Sequence, residues 1–334
     1  MTVTASSAGG APSAASQAGT AVVILGAGRS GTSAITRGLQ ALGVDLGPRL
    51  RRGRGKNPTG FFEDRDLLGL TRRLKRVLGI RGDSVALIEP AAWRTPAVEA
   101  LSREAVAVIA RRFGEVPLWG FKHGRTLRLL PFWEGVFRAL ELDVRYLLAL
   151  RNPISVARSR GALDPRRGSQ EKSDLEWLVN VVPHARMMAA RPFVAVDYDR
   201  VMADPRGQLR RIATRLDLPL DPAAEGAIER YASTFLQTGR RHSRFTLDDL
   251  EGSATVNPLV RDAYRWLDGL AGDAIAADDA TLWRDWARIE AAVAALAPLL
   301  RHIDAVEAEL RRARRNPAGP LQAVPHLWRQ LRRG

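Results

Sequence analysis

The sequence contains no cysteine, which excludes disulfide bonds, thiol catalysis and thiolate metal sites. Although 46% of its 334 residues are hydrophobic, no apolar run reaches the roughly 18 residues of a membrane span, so none is expected. Residues 1–20 are mostly Ala, Ser, Gly and Thr, without the charged start and apolar centre of a signal peptide. They predict a disordered lead, and the missing signal favours a cytoplasmic location.

Lysine is also scarce, so arginine carries nearly all of the positive charge. The 51 Lys and Arg residues against 36 Asp and Glu give a net charge of +15, which predicts acidic ligands or surfaces. No helix-turn-helix, zinc-finger or RNA-recognition signature accompanies this charge, so nucleic acid is not an expected partner. The run Arg49–Lys56 predicts a solvated basic loop, with an anion funnel facing the substrate as the alternative.

Strand-like apolar runs alternate with helical patterns from residue 21 to residue 216. This alternation predicts an α/β fold, a three-layer αβα architecture with a central parallel sheet. The pattern is helical from about residue 220, so we predict a main domain over 21–245 and a helical extension over 246–334 packed on it. The predicted strands are 21–25, 117–122, 144–150 and 193–198, and the predicted helices are 31–43, 62–78, 95–113, 127–140, 152–161, 171–190 and 204–216.

The segment Ala21–Ser33 has the pattern of a buried strand, a glycine-rich turn and the start of a helix. Glycine allows the backbone to approach a ligand closely, and a helix N-terminus offers free N–H groups to an anion. The P-loop of nucleotide hydrolases has this layout, but Thr32 stands where that loop has its lysine, and the loop cation is Arg29. The segment therefore predicts a phosphate-binding loop without the usual lysine.

Two other interpretations of this loop compete. Gly26, Gly28 and Gly31 match the dinucleotide-binding fingerprint, which also needs an acidic residue about 20 residues later at the end of a second strand. Asp45 is the candidate, but it lies in a short, glycine-broken segment. The segment Arg29–Ser33 resembles instead the loop with which sulfotransferases bind the 5′-phosphosulfate of PAPS (3′-phosphoadenosine 5′-phosphosulfate).

A second motif follows the predicted strand 144–150. Arg151 comes directly after this strand, Asn152 and Pro153 are suited to begin a helix, and Ser159 lies two turns into that helix. Ligands in open α/β sheets bind at the carboxyl ends of strands, so Arg151 and Ser159 are placed to hold a second phosphate. The motif resembles the 3′-phosphate-binding motif of sulfotransferases, Arg-Asn-Pro followed by Ser six residues after the Pro.

Further segments resemble the same family over about residues 20–245. The family has counterparts of Asn57–Asp64, Trp119–Arg125 and Val194–Pro205, and more weakly of the basic segment Phe235–Arg244. In the third of these, Asp204 and Pro205 predict the start of a helix. The resemblance implies the P-loop nucleoside triphosphate hydrolase-like fold of the family and assigns cofactor binding to Gly28, Arg29, Ser30, Gly31, Thr32, Ser33, Arg151, Ser159 and Arg241.

The resemblance implies transfer of a sulfuryl group from PAPS to an acceptor hydroxyl or amine, with 3′,5′-ADP as the product and no metal. Arg29 and Lys122 are the candidates to stabilise charge on the leaving oxygen. Glu63 and His123 are the candidate bases, and Glu63 is preferred because neighbouring strand residues point to opposite faces, which directs His123 away from Lys122. A nucleotide kinase with a divergent P-loop and a basic nucleotide- or nucleic-acid-binding module remain as alternatives, and the acceptor (glycan, lipid, peptide or small metabolite) is open.

The C-terminal region contains an apolar stripe with heptad spacing that Pro298 interrupts. It predicts two helices packed on the domain, with a homodimer contact as the alternative. The basic segments Arg311–Arg315 and His326–Arg333 suggest a peripheral contact with anionic lipid. The stripe consists of Trp286, Ile289, Val293, Leu296, Leu300 and Ile303.

Overall fold

The computed structural model describes residues 19–53, 60–235 and 245–315. Within them, a parallel sheet has the strand order β2-β1-β3-β4. The strands are short and almost wholly buried, as expected for a sheet covered on both faces. They are β1 (Thr20–Gly26), β2 (Leu118–Lys122), β3 (Asp143–Leu150) and β4 (Phe193–Asp197). The predicted α/β fold class and all four predicted strands are confirmed.

The order of the strands creates a crevice at one edge of the sheet. The chain leaves β1 for β2 on one side, and it leaves β3 for β4 on the other side. Strands β1 and β3 are neighbours, with Gly26 paired to Ala149, so the two loops that follow them diverge from adjacent positions. Such a switch point is where open α/β sheets bind ligands.

Helices flank the sheet in the order predicted from the sequence, with boundaries that differ by a few residues. The 127–140 helix begins as a 3₁₀ turn over Leu127–Leu129, and the 171–190 helix ends as a 3₁₀ turn over Arg186–Ala190. The helices are α1 (Thr32–Ala41), α2 (Arg65–Val77), α3 (Pro96–Phe113), α4 (Leu130–Ala139), α5 (Pro153–Gly161), α6 (Gln170–Ala185), α7 (Tyr198–Ala203), α8 (Pro205–Arg215), α9 (Pro222–Arg230), α10 (Leu247–Glu251), α11 (Pro258–Ala271), α12 (Ala280–Ala295) and α13 (Ala297–Arg315).

The two faces of the sheet carry separate hydrophobic cores. Side chains alternate between faces along a strand, so Val23 and Leu25 join one core while Val22 and Ile24 join the other. Helices α3, α4, α6, α11 and α12 cover the first face, and α1, α8 and α9 cover the second. The result is the expected three-layer architecture.

Capping residues begin the helices that follow β3 and β4. The Asn152 side chain accepts a hydrogen bond from Ile154 N, and the Asp204 side chain accepts one from Gly207 N, as their positions before proline predict. The strand predicted to reach residue 198 ends at Asp197, whose carboxylate instead caps the short helix α7. This early turn puts Tyr198 at the carboxyl edge of the sheet.

The C-terminal stripe packs against the chain's own core. Trp286 and Val293 on α12 join the core of the first sheet face, and Leu300 on α13 packs with Val85 and Val179. Pro298 coincides with the break between α12 and α13, as predicted. The division into domains at residue 245 and the homodimer stay predictions, and the segment 326–333 lies outside the described residues. None of the helices in the described ranges combines the length and hydrophobicity that crossing a bilayer requires.

Candidate functional site

The glycine-rich loop between β1 and α1 is held tightly by its neighbours. Gly26 has φ of +139°, and a Cβ atom there would lie 2.5 Å from the Ala149 carbonyl oxygen of β3. Gly31 has φ of +74°, and its Cβ would overlap the Tyr198 ring at 2.1 Å. Both glycines are therefore required by the fold itself, whereas a Cβ on Gly28 would meet nothing within 4 Å.

Arg29 occupies the left-handed region of the backbone map, with φ of +79°. A non-glycine residue in this region carries strain, of order 1–3 kcal/mol, and such residues cluster at functional sites. The conformation directs the Arg29 side chain across the crevice, where Nε donates a hydrogen bond of 2.9 Å to Ser159 Oγ on α5. The loop after β1 and the helix after β3 thus meet through two predicted site residues.

Arg151 lies beside this contact at the end of β3. Its side chain is buried, and its guanidinium carbon lies 4.8 Å from the centre of the Tyr198 ring. Partial burial lowers the pKa of Arg29, and the charge of Arg151 lowers that pKa further. Two guanidinium groups that repel each other in one crevice form a site suited to an anion, because an anion would relieve their repulsion.

The start of α1 offers further donors at the same crevice. Ser30 is 1% exposed, and its Oγ has no hydrogen-bond partner in the described part of the chain. Helix α1 has neither a capping side chain nor an acidic residue in its first turn, so the positive end of its dipole is not neutralised locally. Thr32 and Ser33 form the first residues of this helix. Together these groups can bind a phosphate.

Lys122 forms a second centre on the other side of the loop. It is 4% exposed at the end of β2, and its Nζ donates to Ser33 Oγ at 3.1 Å, to the Phe61 carbonyl oxygen at 2.6 Å and to Glu63 Oε1 at 3.3 Å. Burial lowers the pKa of Lys122, and the adjacent Glu63 carboxylate opposes that shift. Lys122 therefore links the phosphate loop to the candidate base.

Glu63 is positioned by a short antiparallel contact between residues 49–51 and 63–65. Arg51 N donates to the Glu63 carbonyl oxygen at 2.8 Å, and Asp64 then caps helix α2. The buried Glu63 carboxylate lies between two cations, with Lys122 on Oε1 and Arg51 Nη1 on Oε2 at 3.1 Å. The positive charge of Arg51 lowers the pKa of Lys122, whereas the positive charge of Arg151 lowers the pKa of Arg29. Arg29 accordingly groups with Ser159, and Lys122 groups with Glu63.

His123 follows Lys122 directly, yet its surroundings differ. Its Nδ1 is buried and has no hydrogen-bond partner among the described residues. Burial, together with the positive charges of Lys75 and Arg125, lowers the pKa of His123 to about 3. The imidazole is therefore neutral at pH 7, close to the positive charges of Lys75 and Arg72 on helix α2.

The structure adds no support for the remaining candidates, which are Arg241, residues 57–59 and Asp45. Arg241 and residues 57–59 lie outside the described residues, so their roles stay predictions. Asp45 forms an isolated bridge to Trp119 at the edge of the sheet, and its carboxylate accepts from Gly47 N, so it does not end a second central strand. Within the described ranges, no group of three or more His, Asp or Glu side chains could hold a metal ion.

Two residues of the site were missed by the sequence analysis. Tyr198 packs on Gly31 and under Arg151, and the signal that could have found it is an aromatic residue directly after a strand that ends at the ligand-binding edge. Arg51 was counted only as part of a basic loop. Its guanidinium carbon lies 3.9 Å from the centre of the Phe61 ring, which aims it at Glu63.

No protein-family model matches the sequence, and no curated protein sequence matches it. Among solved structures, the chain is similar to the sulfotransferase STF1 from Mycobacterium tuberculosis H37Rv, with 17% identity over 67% of this chain and 74% of that chain and a TM-score of 0.40. The sulfotransferase domain of the Synechococcus PCC 7002 olefin synthase has 17% identity, coverage of 83% and 95%, and a TM-score of 0.39. Retinol dehydratase in complex with retinol and PAP has 15% identity, coverage of 80% and 76%, and a TM-score of 0.34.

At such identities and TM-scores the residues of the site have to be assigned from their own geometry. That geometry comprises a crevice suited to an anion around Arg29, Arg151 and Ser159, and a buried Lys122–Glu63 pair beside the same loop.

Proposed function

We propose that this protein is a sulfotransferase that uses PAPS as its sulfuryl donor and an acceptor hydroxyl or amine as its substrate. The observation that carries the proposal is the convergence of Arg29 on Ser159 and Arg151 at the switch point between β1 and β3. A donor with phosphate groups at both ends of its ribose needs two separate anion sites. The crevice offers one around Arg151 and Ser159, and the start of α1 offers the other.

The residues present fit such a donor. Ser30 has a buried Oγ that lacks a partner in the described chain, and the uncapped helix α1 adds backbone donors; these would hold the 5′-phosphosulfate. Arg151 and Ser159 would hold the 3′-phosphate. Arg29 contacts Ser159 in this conformation, so we assign it first to the 3′-phosphate end of the donor.

Lys122 and Glu63 are the proposed reacting pair. The donor, when bound, supplies an activated sulfuryl group on a phosphate oxygen. Glu63 takes the proton of the acceptor O–H or N–H as the new bond to sulfur forms and the bond between sulfur and the phosphate oxygen breaks. Lys122 stabilises the negative charge that the electron pair of the broken bond leaves on that oxygen.

The contacts of Lys122 set a condition on this mechanism. Its Nζ already donates to Ser33, Phe61 and Glu63, so contact with another oxygen requires the release of one of these three acceptors. Release of Glu63 would free Oε1 to accept a proton. Arg51 would keep the carboxylate in place through Oε2.

The proposal is tested by thermal denaturation of the full chain with 3′,5′-ADP or with 5′-ADP, at equal concentrations and without metal. A ligand that binds only the folded state adds about 2.7 kcal/mol of stability at a hundredfold excess over its Kd. We expect stabilisation by 3′,5′-ADP to exceed that by 5′-ADP clearly. Equal stabilisation by the two nucleotides would remove the basis for a 3′-phosphate site.

A further inference from the structure

A cluster of cations lies outside the proposed donor site, at the end of helix α2. Arg72, Lys75, Arg76 and Arg81 line a cleft of about 360 Å³, which we call the cationic cleft. Its remaining lining residues are Gly79 and Ile80, so its wall carries four cations and no acidic residue. The cleft is thus a concave surface of one charge sign, the kind of surface that attracts anionic ligands.

Three of the four cleft cations have no ion-pair partner within the described chain, whereas about half of the described arginines have one. Arg81 lies 3.5 Å from Asp83, whereas Arg72, Lys75 and Arg76 form no ion pair with any residue of the described chain. Lys75 and Arg76 lie in the last turn of α2, where the negative end of the helix dipole stabilises cations. The dipole does not account for Arg81, which follows the end of the helix.

Arg125 adds a further positive charge close to the cleft residue Lys75. Its Nη2 donates to the Gly82 carbonyl oxygen and lies 3.8 Å from Glu176. Glu176 is bound more closely by Arg167, whose Nε donates to it at 2.9 Å, so the carboxylate is shared. The side chain of Arg125 is 11% exposed, and its Nη1 has no hydrogen-bond partner within the described ranges.

His123 connects the cleft to Lys122. It follows Lys122 in sequence, and the charges of Lys75, Arg125, Lys122 and Arg72 all act on its pKa. The pKa of Lys75 is likewise lowered, by burial and by the charges of Arg125 and Arg72. Two buried polar atoms, His123 Nδ1 and Arg125 Nη1, therefore lie without partners in the described structure next to cations that repel one another.

The cleft is on the opposite side of the phosphate loop from the 3′-phosphate site. Arg151 follows β3, and His123 follows β2; these strands lie on either side of β1. Two strand spacings separate the two positions by roughly 10 Å. The donor phosphates are already assigned to the loop and to the β3 side. The cations on the β2 side are therefore not used by the donor.

We propose that the cationic cleft, with Arg125 and His123, binds an anionic group of the acceptor, so that the acceptor is a hydroxyl or amine compound that also carries a carboxylate, sulfate ester or phosphate ester. This inference rests on the proposed sulfotransferase function. An anionic group in the cleft would relieve the repulsion among Lys75, Arg72 and Arg125. It would also anchor one end of the acceptor at the C-terminal end of α2, roughly 15–20 Å along that helix from Glu63. An acceptor of that length would bring its nucleophile to the sulfuryl group.

The test is isothermal titration calorimetry of the full chain with sucrose octasulfate, a small polyanion whose uncharged counterpart is sucrose. Titrations are made with 3′,5′-ADP present, so that the proposed donor site is occupied. We expect binding of sucrose octasulfate and none of sucrose. Arg72→Ala and Lys75→Ala should each raise the Kd about tenfold or more, as expected for loss of a charged hydrogen bond.

Arg103→Ala is the matched control. Arg103 is exposed on α3 and forms no ion pair with the described residues, so this variant removes one positive charge elsewhere. It should change the Kd less than twofold. An equal effect of Arg103→Ala, or no binding of sucrose octasulfate at all, would overturn the inference. Arg72 is exposed, so its variant keeps the test open if Lys75→Ala does not fold.

Two further results separate this inference from the proposed function. If Arg151→Ala abolished binding of sucrose octasulfate while Arg72→Ala and Lys75→Ala did not change it, the polyanion would bind at the donor site. That result would overturn the inference about the cationic cleft. Retained stabilisation by 3′,5′-ADP would then leave the proposed function standing. Conversely, cleft-dependent binding of sucrose octasulfate without any preference for 3′,5′-ADP would overturn the sulfotransferase proposal alone.

Discussion

Arg29 Nε donates a hydrogen bond of 2.9 Å to Ser159 Oγ, although the two residues are 130 positions apart in the sequence. The bond joins the loop after β1 to the second turn of α5, across the crevice between β1 and β3. Both residues are donors that a phosphate group could share. The crevice is therefore arranged for an anion even though its two walls come from distant parts of the chain.

Replacement of Arg151 should weaken binding of 3′,5′-ADP selectively. Arg151→Ala removes a buried cation beside Arg29, so the 3′-phosphate loses a charged hydrogen bond worth about 1.5–3 kcal/mol, or more than tenfold in Kd. Binding of 5′-ADP should change by less than threefold, a rough threshold of about 0.6 kcal/mol. Calorimetry with both nucleotides measures the difference, and an equal loss for both would contradict the assignment.

Replacement of Ser159 should act in the same direction with a smaller effect. Ser159→Ala removes the acceptor of the Arg29 hydrogen bond and one proposed ligand of the 3′-phosphate. We expect a loss of about 0.5–1.5 kcal/mol in the binding of 3′,5′-ADP. Ser102→Ala is the matched control because Ser102 lies within helix α3, which is not part of either phosphate-binding segment. An unchanged Kd in Ser159→Ala would exclude this serine as a ligand.

Sulfuryl transfer should not depend on a divalent metal. Thr32 replaces the lysine of a nucleotide-hydrolase P-loop, and the sulfuryl group carries less charge than the γ-phosphate that a kinase transfers with Mg²⁺. Turnover of PAPS with excess EDTA should equal turnover without it. An absolute requirement for Mg²⁺, restored by adding the ion back, would favour a nucleotide kinase instead.

Glu63→Gln should abolish most of the turnover while leaving the donor bound. The amide keeps the size of the side chain but cannot accept a proton, and general base catalysis contributes typically about 10²–10⁴-fold. The variant should bind 3′,5′-ADP like the parent protein in calorimetry. His123→Asn should cost much less turnover, because His123 lies among the cations Lys75 and Arg125, whereas Glu63 contacts Lys122 directly. Reversed outcomes would make His123 the base and leave the donor site intact.

His123→Asn should also change how stability depends on pH. The pKa of His123 is about 3 in the folded protein because of burial and nearby cations, against 6.5 as its ordinary value. Between these values the unfolded chain binds a proton that the folded chain does not bind, so this residue lowers stability as pH falls below 6.5. When the pH is lowered from 7.5 to 5, the free energy of unfolding of the variant should rise by about 2 kcal/mol relative to that of the parent protein. Urea unfolding at both pH values measures this change. If variant and parent differed in stability by the same amount at both pH values, His123 would not be a neutral, buried imidazole.

The strands, most of the helices and the two phosphate motifs could be predicted from the sequence. Short apolar runs identify strands covered on both faces, and Asn152 with Pro153 identifies the start of a helix, because these signals act over a few residues. The order of these elements along the chain predicted a parallel sheet. It also predicted that Arg29 and Arg151 follow strands and so lie at the same edge.

The grouping of the site residues could not be predicted from the sequence and follows from the packing of the folded chain. Arg29 turns to Ser159, and Lys122 turns to Ser33 and Glu63, although the sequence analysis had paired Arg29 with Lys122. Tyr198, which packs on Gly31, could be located only after the end of β4 was known. The local pattern determines where a strand or helix begins. The partner of a long side chain depends instead on which distant elements pack beside it, and residues far apart in the sequence leave no local signal of that packing.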